Sequence, residues 1–194
     1  MRKVEIQSRK RILDDFFKVD EVVLRHERAD GRMTRSLRRL HLDRGDGVAA
    51  LLFKPDTEEV VLVRQFRYSA NVHGSGWILE VVAGVLGPVE NPRAAMRREI
   101  LEETGYTTEK LDSISSFYLS PGGSSERIHL FYAEVGIRAS GKSGRGLEEE
   151  GEDIEVVEIP LEKAWDMLEA GRIVDAKTII ALQWLRSGGP LSDG

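Results

Sequence analysis

The feature that most constrains the fold is a segment in which an apolar run, a glycine and an acidic helix follow one another. Residues 77 to 83, with the sequence WILEVVA, are typical of a strand, and Gly84 follows directly. Asn91 and Pro92 predict the N-cap and the first position of a helix, and Gly105 predicts its left-handed end. We therefore expect a strand, a glycine loop and a helix over 92 to 104 that form one supersecondary unit.

The predicted helix carries three glutamates on one side. At about 100° per residue, Glu102 lies near −60° and Glu103 near +40° from Glu99, so the three carboxylates share an arc of about 100°. Carboxylates placed in this way can hold hard divalent cations. Arg98 lies about 40° from Glu102 on the same wheel, close enough to orient it.

A solvated acidic surface helix is the alternative interpretation of a Glu-x-x-Glu-Glu cluster. In either case Ala94 and Leu101, on the side opposite the glutamates, are expected to pack on a sheet. The preceding strand and glycine loop favour the metal site, because they deliver the chain to the capped start of the helix.

The segment from Gly84 to Tyr106 resembles the Nudix box, G-x5-E-x7-R-E-U-x-E-E-x-G-U, in which U is a bulky apolar residue. Every defined position matches, although Tyr106 stands where an aliphatic residue is more usual. The resemblance implies an α/β protein with the Nudix fold. That fold is an α/β/α sandwich with a mixed sheet, here with an additional N-terminal strand segment.

The resemblance also implies a metal site and its ligands. Glu99, Glu103 and the carbonyl group of Ala83 would bind Mg²⁺ or Mn²⁺, with two to three ions per site. Glu102 and Arg98 would be catalytic, and Glu102 is a further candidate ligand. Carboxylate and carbonyl oxygens are the ligands that these cations prefer.

A second acidic segment follows a stretch rich in glycine and serine. Residues 138 to 146 are unsuited to a helix or strand, and they lead into the acids of 148 to 153. Alone, this segment is typical of a mobile charged surface loop. In the family, the corresponding loop supplies the catalytic base and a metal ligand, which places the base at Glu150 and the ligand at Glu152. The other acids of 148 to 153 remain candidates for the base.

Three stretches outside the box resemble the ADP-ribose and GDP-mannose pyrophosphatases of the superfamily. They are residues 61 to 67, 120 to 127 and 146 to 154, and Pro121 is typical of the ADP-ribose type. The resemblance implies metal-dependent hydrolysis of a nucleoside diphosphate sugar to a nucleoside monophosphate and a sugar phosphate. The sequence leaves the choice between ADP-ribose and GDP-mannose open.

Four further residues are candidates for substrate binding. Arg39 and Arg67 can hold phosphate oxygens or the terminal sugar. Glu80 and Glu126 can bind substrate hydroxyl groups or metal-bound water. Arg67 could instead be a charge that protects an edge strand from aggregation.

Two other functions share these features. A nucleoside triphosphate or dinucleotide pyrophosphatase would carry the same box. A non-catalytic nucleotide-sugar-binding module could keep the fold, but we would expect it to have lost some of Glu99, Glu102 and Glu103, which are all present.

Composition supports a single catalytic domain. A chain of 194 residues with 41% apolar residues can bury one good core, which we assign to 46 to 188, with a flexible tail at 189 to 194. The net charge of −5 argues against a nucleic-acid partner. The absence of cysteine excludes disulfides and thiolate chemistry. Without a signal peptide or membrane span in the sequence, we expect a cytoplasmic protein with no membrane partner.

The first 45 residues are too few to bury a core alone. The resembling enzymes are dimers with exchanged N-terminal strands, so we expect a homodimer in which Phe16, Phe17 or Arg39 helps to complete the partner's site.

Asp30 and Gly31 predict a hairpin between strands at 19 to 28 and 33 to 42. Apolar runs predict further strands at 47 to 53, 59 to 66, 113 to 119, 127 to 135 and 154 to 158, and helices at 161 to 170 and 176 to 187, the second capped by Asp175.

Overall fold

A computed structural model of the chain describes residues 1–136, 138 and 153–189. The chain packs as two compact units. The first comprises Met1–Asp46 together with Tyr118–Arg127, and the second comprises Gly47–Phe117 together with the chain from Ile128 onward.

The first unit contains an antiparallel sheet of three strands in the order β1-β2-β3. The strands are β1 (Val4–Asp14), β2 (Lys18–His26) and β3 (Leu37–Asp43). The predicted turn is present, with Gly31 at a φ of +79°, but the strand predicted to start at residue 33 begins only at Leu37. Strand β1 was not predicted, because its middle is a run of polar and charged residues and almost all of its side chains are exposed, so it lacks the sustained alternation that marks a half-buried strand.

The second unit is built on a mixed sheet of seven strands. Five of them lie in the order β10-β5-β4-β9-β8, while β6 pairs with β5 and β7 pairs with β4. The β4 and β9 strands are parallel, and the other pairs whose register is defined in this sheet are antiparallel. The bounds are β4 (Gly47–Lys54), β5 (Glu59–Phe66), β6 (Trp77–Glu80), β7 (Val82–Val85), β8 (Asp112–Tyr118), β9 (Arg127–Glu134) and β10 (Glu155–Pro160).

Helices cover both faces of the seven-stranded sheet. They are α1 (Tyr68–Asn71), α2 (Pro92–Thr104), α3 (Leu161–Glu169) and α4 (Ala176–Gly188). Alternate residues of β4 face opposite cores: Leu51 packs with α3 and α4, and Leu52 packs with α2. The predicted α/β/α sandwich with a mixed sheet is therefore confirmed. Among the described helices, none is both long enough and apolar enough to cross a membrane.

The run predicted as one strand at 77 to 83 is divided at Val81. Its first part, β6, pairs with β5, and its second part, β7, pairs with β4. At Val81 the chain therefore stops pairing with β5 and begins to pair with β4. The Val81 amide donates a hydrogen bond to Oγ1 of Thr178 in α4 at 2.8 Å. This crossover lies just before Ala83 and Gly84, the start of the candidate site.

Candidate active site

Helix α2 begins and ends as the sequence predicts. The Asn91 side chain accepts hydrogen bonds from the amides of Arg93, at 2.9 Å, and Ala94, at 3.3 Å. Gly105 ends the helix at a φ of +72°, a conformation that glycine adopts without strain, and its amide donates to the Leu101 carbonyl. These two caps fix the helical register and therefore the positions of the glutamates.

The Glu99 side chain lies directly against the backbone of Gly84 in β7. A Cβ atom added to Gly84 would overlap the Glu99 carboxylate. The glycine is therefore required for close approach of strand and helix, not for an unusual backbone angle. This contact brings the Glu99 carboxylate to the part of β7 that contains Ala83, the predicted carbonyl ligand.

Arg98 contacts three acids of the box. Its Nη1 lies 2.9 Å from Glu99 Oε1 and 3.0 Å from Glu102 Oε2, and its Nε lies 3.5 Å from Glu90 Oε1. Partial burial alone would lower the pKa of Arg98, but the neighbouring carboxylates, Glu99 foremost, raise it. Arg98 therefore stays charged and holds Glu99 and Glu102 in fixed orientations, as the helical wheel suggested for Glu102.

The expected apolar face of α2 is wrong. Ala94 is exposed and Leu101 is only partly buried. The buried face is formed by Ala95, Met96, Ile100, Glu103 and Thr104. Because the acidic arc overlaps the face that packs on the sheet, Glu103 is only 3% exposed. A carboxylate that is withdrawn from water in this way requires a compensating charge or hydrogen bonds.

The chemistry of these donors fits a divalent cation. Glu99 lies against the glycine of β7 and Glu103 is a buried carboxylate on the same arc, so both offer oxygen ligands next to the strand. In the described part of the chain, no three His, Cys, Asp or Glu side chains are grouped so as to hold a metal ion by themselves. The predicted base Glu150 and ligand Glu152 lie outside the described residues.

A second charged cluster lies at the end of β6. Glu80 is 3% exposed, and its carboxylate accepts hydrogen bonds from Arg67 Nε at 2.8 Å and from Lys177 Nζ at 3.2 Å. Lys177 also donates to Asp175, the N-cap of α4, at 2.7 Å. Burial would lower the pKa of Lys177, but Asp175 and Glu80 together raise it. The cluster holds Arg67 by one edge of its guanidinium group, and the Arg67 side chain is 43% exposed.

Sequence reasoning missed Lys177. A lysine in the first turn of a helix is unfavourable beside the positive end of the helix dipole. The lysine that follows the predicted cap Asp175 was therefore a detectable signal that a buried acid lies nearby. The predicted α4 cap itself is confirmed, since Asp175 accepts from the amide and the hydroxyl of Thr178.

Two predicted substrate-binding residues lie in the first unit. Glu126 is 8% exposed, and its Oε1 lies 3.4 Å from Nε of Arg44. Arg39 is exposed on β3 and donates from Nη1 to the Arg38 carbonyl at 3.0 Å. The second unit contains Arg67, Glu80, Ala83 and the α2 residues.

Comparison with known proteins places this geometry in a family. The NUDIX domain model matches residues 43–182. The chain is 40% identical over 182 residues to a GDP-mannose pyrophosphatase of Pectobacterium atrosepticum, an alignment that covers 93% of this chain and 92% of that protein. It is 38% identical to the GDP-mannose pyrophosphatase of Citrobacter koseri over 188 residues, which are 96% of both chains.

A solved structure agrees in fold. The crystal structure of an ADP compounds hydrolase superposes with a TM-score of 0.69 at 20% identity, and the match covers 95% of this chain and 92% of that one. The Nudix resemblance of the box, the strand–glycine–helix unit and the α/β/α sandwich therefore agree, and the chain belongs to the NUDIX family.

Proposed function

We propose that this chain is a pyrophosphohydrolase that cleaves the diphosphate bond of a nucleoside diphosphate sugar, with GDP-mannose as the preferred substrate. The products would be a nucleoside monophosphate and a sugar phosphate. Relatives that are 36% to 40% identical over almost the whole chain bear the name GDP-mannose pyrophosphatase, which supports GDP-mannose over ADP-ribose.

The observation that carries this proposal is the contact between Glu99 and Gly84. A surface helix with an acidic patch would leave its glutamates in water. Here Glu99 is pressed onto a strand, Glu103 is buried and Arg98 fixes two of the carboxylates. Such preorganisation is expected where charged groups of a substrate must be received in one geometry.

Nudix hydrolases generally use divalent metal ions. In this chain Glu99, Glu103, Glu152 and the carbonyl of Ala83 would hold two to three ions, with Mg²⁺ or Mn²⁺ the best match to oxygen ligands. When bound, these ions would neutralise the negative oxygens of the diphosphate and lower the pKa of a water molecule.

The remaining steps belong to protein side chains. Glu150 would take the proton from the attacking water, and any other acid of 148 to 153 is the alternative. Glu102 would act at the edge of the metal site, where Arg98 orients its carboxylate. Both assignments follow the family resemblance of the box and the acidic segment.

The Arg67, Glu80 and Lys177 cluster supports a role in substrate binding. Glu80 takes only the Nε edge of Arg67 in the bonds described, so the outer nitrogens of this half-exposed guanidinium are directed to bind phosphate oxygens. Lys177 places a positive charge 3.2 Å from the buried Glu80 carboxylate. Glu80 in turn holds Arg67 in place, and Arg39 and Glu126 complete the proposed set of substrate-binding residues.

A homodimer is also part of the proposal. The strand segment at 1 to 45 exposes several large apolar side chains, namely Val4, Ile6, Ile12, Leu13, Phe16, Phe17 and Leu40. Exposed apolar groups at this density are typical of an interface. Light scattering at micromolar concentration should report twice the chain mass, and a monomer would contradict the proposal.

A substrate panel tests the reaction. GDP-mannose, ADP-ribose, other nucleotide sugars, NADH and nucleoside triphosphates would each be incubated with the protein and Mg²⁺, and released phosphomonoester would be quantified. We expect the highest kcat/KM with GDP-mannose. Preference for a nucleoside triphosphate would contradict the proposal. Equal lack of turnover with every compound, together with tight binding of one nucleotide sugar, would identify a binding module instead.

A further inference from the structure

Val81 lies between the two strand pairings that lead into the candidate active site. The pairing of β6 with β5 ends at Glu80, and the pairing of β7 with β4 begins at Val82. Val81 is fully buried, yet among the described strand pairs it belongs to neither. A buried amide that has lost water and found no partner is costly. The Val81 amide therefore requires an acceptor from outside the sheet.

The hydroxyl group of Thr178 in α4 is that acceptor. Its Oγ1 lies 2.8 Å from the Val81 amide nitrogen and 2.7 Å from Oδ2 of Asp175. Since a backbone amide can only donate, the hydroxyl group accepts from Val81 and gives its own hydrogen to Asp175. The Thr178 side chain is fully buried. Both bonds are therefore shielded from water, and the hydroxyl group has one orientation.

The first turn of α4 also contacts the residue before Val81. Asp175 caps this turn by accepting from the Thr178 amide at 2.9 Å, and it accepts from Lys177 Nζ at 2.7 Å. The same Nζ lies 3.2 Å from Oε2 of Glu80. The capped start of α4 thus binds two consecutive residues of the chain, Glu80 through its side chain and Val81 through its backbone.

This attachment lies two residues before a proposed metal ligand. Strand β7 has only four residues, and Ala83 and Gly84 are its second and third. The pairing with β4 sets the distance between the two strands, and the bond from Val81 to Thr178 sets the point at which the chain enters β7. A shift of that point would move the Ala83 carbonyl and the glycine on which the Glu99 carboxylate lies.

The attachment connects opposite faces of the seven-stranded sheet. Val81 belongs to the core that contains Leu182 of α4, whereas Val82 belongs to the core that contains Met96 of α2. A residue of α4 can therefore influence the side of the sheet where the α2 carboxylates lie, although it has no place in the site itself.

We propose that Thr178 is a positioning residue for the metal site, which acts through Val81 on the carbonyl of Ala83. It touches neither metal nor substrate. The inference rests on the proposed function, because it requires that divalent ions bind between β7 and α2. A threonine that only filled the core would need its volume and its methyl group, and its hydroxyl group would have no influence on metal binding.

The test is the affinity of the full-length protein for Mn²⁺ without substrate, measured by electron paramagnetic resonance of the free ion. Thr178→Val keeps the volume of the side chain and removes the hydroxyl group, whereas Thr178→Ser keeps the hydroxyl group and removes the methyl group. Groups that orient metal ligands contribute about 10- to 100-fold to metal affinity, so we expect at least about tenfold weaker binding by Thr178→Val and a change within about twofold for Thr178→Ser.

Two further variants separate positioning from stability. Thr178→Ala also lacks the hydroxyl group and should show the same weaker binding, so the result does not depend on the folding of the valine variant. Leu185→Ala removes core volume near the other end of α4. It should lower the free energy of unfolding, because it leaves a cavity, but it should keep the wild-type affinity for Mn²⁺ at a temperature at which it is folded.

The outcomes distinguish this inference from the proposed function. Wild-type affinity in both Thr178→Val and Thr178→Ala would overturn the inference alone, as would equal weakening by Thr178→Ser or by Leu185→Ala. Absence of Mn²⁺ binding by the wild-type protein would overturn the proposed metal site and this inference with it.

Discussion

The carboxylate of Glu99 lies against the backbone of Gly84, so closely that residue 84 has no room for a Cβ atom. This contact joins the strand before the box to the helix within it. It explains the glycine of the motif by close approach, because Gly84 is not among the glycines with a positive φ.

Gly84→Ala should therefore impair activity more than stability. The new methyl group must displace the Glu99 side chain, and a shift of about 1 Å in a catalytic group can cost about 10²-fold in rate. Gly136→Ala is a matched control, since a Cβ there meets nothing within 4 Å. We expect kcat/KM to fall about 10²-fold in the first variant and to stay within twofold in the second. Equal activity of the two variants would show that the contact has no catalytic role.

Glu103→Gln tests the proposed metal ligand. Removing one ligand charge should weaken divalent-ion binding, and the Mg²⁺ concentration for half-maximal rate should rise on the order of tenfold or more. The exposed Glu109→Gln variant, on the chain just beyond α2, should keep the wild-type Mg²⁺ requirement. An unchanged Mg²⁺ requirement in Glu103→Gln would remove Glu103 from the ligand set.

Lys177→Met tests the buried charge of Glu80. The substitution keeps the length of the side chain but leaves Glu80 with Arg67 as its remaining described cationic partner. Loss of one partner of a buried ion pair costs about 3 kcal/mol, and denaturant unfolding should show a loss of that order. Glu80→Gln/Lys177→Met should lose less than the sum of the two single variants. Simple additivity would mean that the two side chains do not interact.

The sequence predicts those structural elements that are determined by neighbouring residues, and it does not predict those that depend on contacts between distant parts of the chain. Asn91, Pro92 and Gly105 define α2 by short-range capping, and its predicted bounds are confirmed. The break at Val81 depends on pairing with two different strands, which no local pattern reveals. The burial of Glu103 depends on tertiary packing, which the helical wheel of α2 does not reveal. The pairing of Lys177 with Glu80 is also a tertiary contact, and its local sign was only the lysine beside the cap Asp175. Strand β1 was missed for the opposite reason, because its exposed charges hide its pairing with β2.

Glu158 makes stability depend on pH in the acid range. Burial by itself would raise its pKa, but hydrogen bonds from Lys54, Tyr106 and Arg138 lower the pKa to about 2 from an ordinary value of 4.5. The ionised Glu158 carboxylate therefore stabilises the folded protein fully above about pH 4.5, and this stabilisation is lost as the pH falls towards 2. Glu158→Gln should be less stable than wild type at pH 7, and the difference should shrink between pH 4.5 and 2.

Tyr106→Phe removes the hydroxyl group but keeps the ring, so it isolates the contribution of the hydroxyl hydrogen bond to Glu158. The Tyr106 hydroxyl donates to Glu158 at 2.7 Å, while Arg138 lies over the ring. Removing the donor should raise the pKa of Glu158, so the acid loss of stability should begin at a higher pH. Denaturant unfolding from pH 7 to 2.5 measures both variants. An acid profile identical to wild type would show that the hydroxyl group does not stabilise the ionised form.

We propose that the α2 carboxylates support cleavage of a nucleotide-sugar diphosphate. Phosphorus NMR of GDP-mannose mixed with the purified protein and Mg²⁺ measures this most directly. The two coupled diphosphate signals should be replaced by two phosphomonoester signals, those of GMP and mannose 1-phosphate, with no change in EDTA. The Glu103→Gln variant should slow this conversion at limiting Mg²⁺. Persistence of the diphosphate signals with the wild-type protein at saturating Mg²⁺, or release of inorganic phosphate as the first product, would contradict the account.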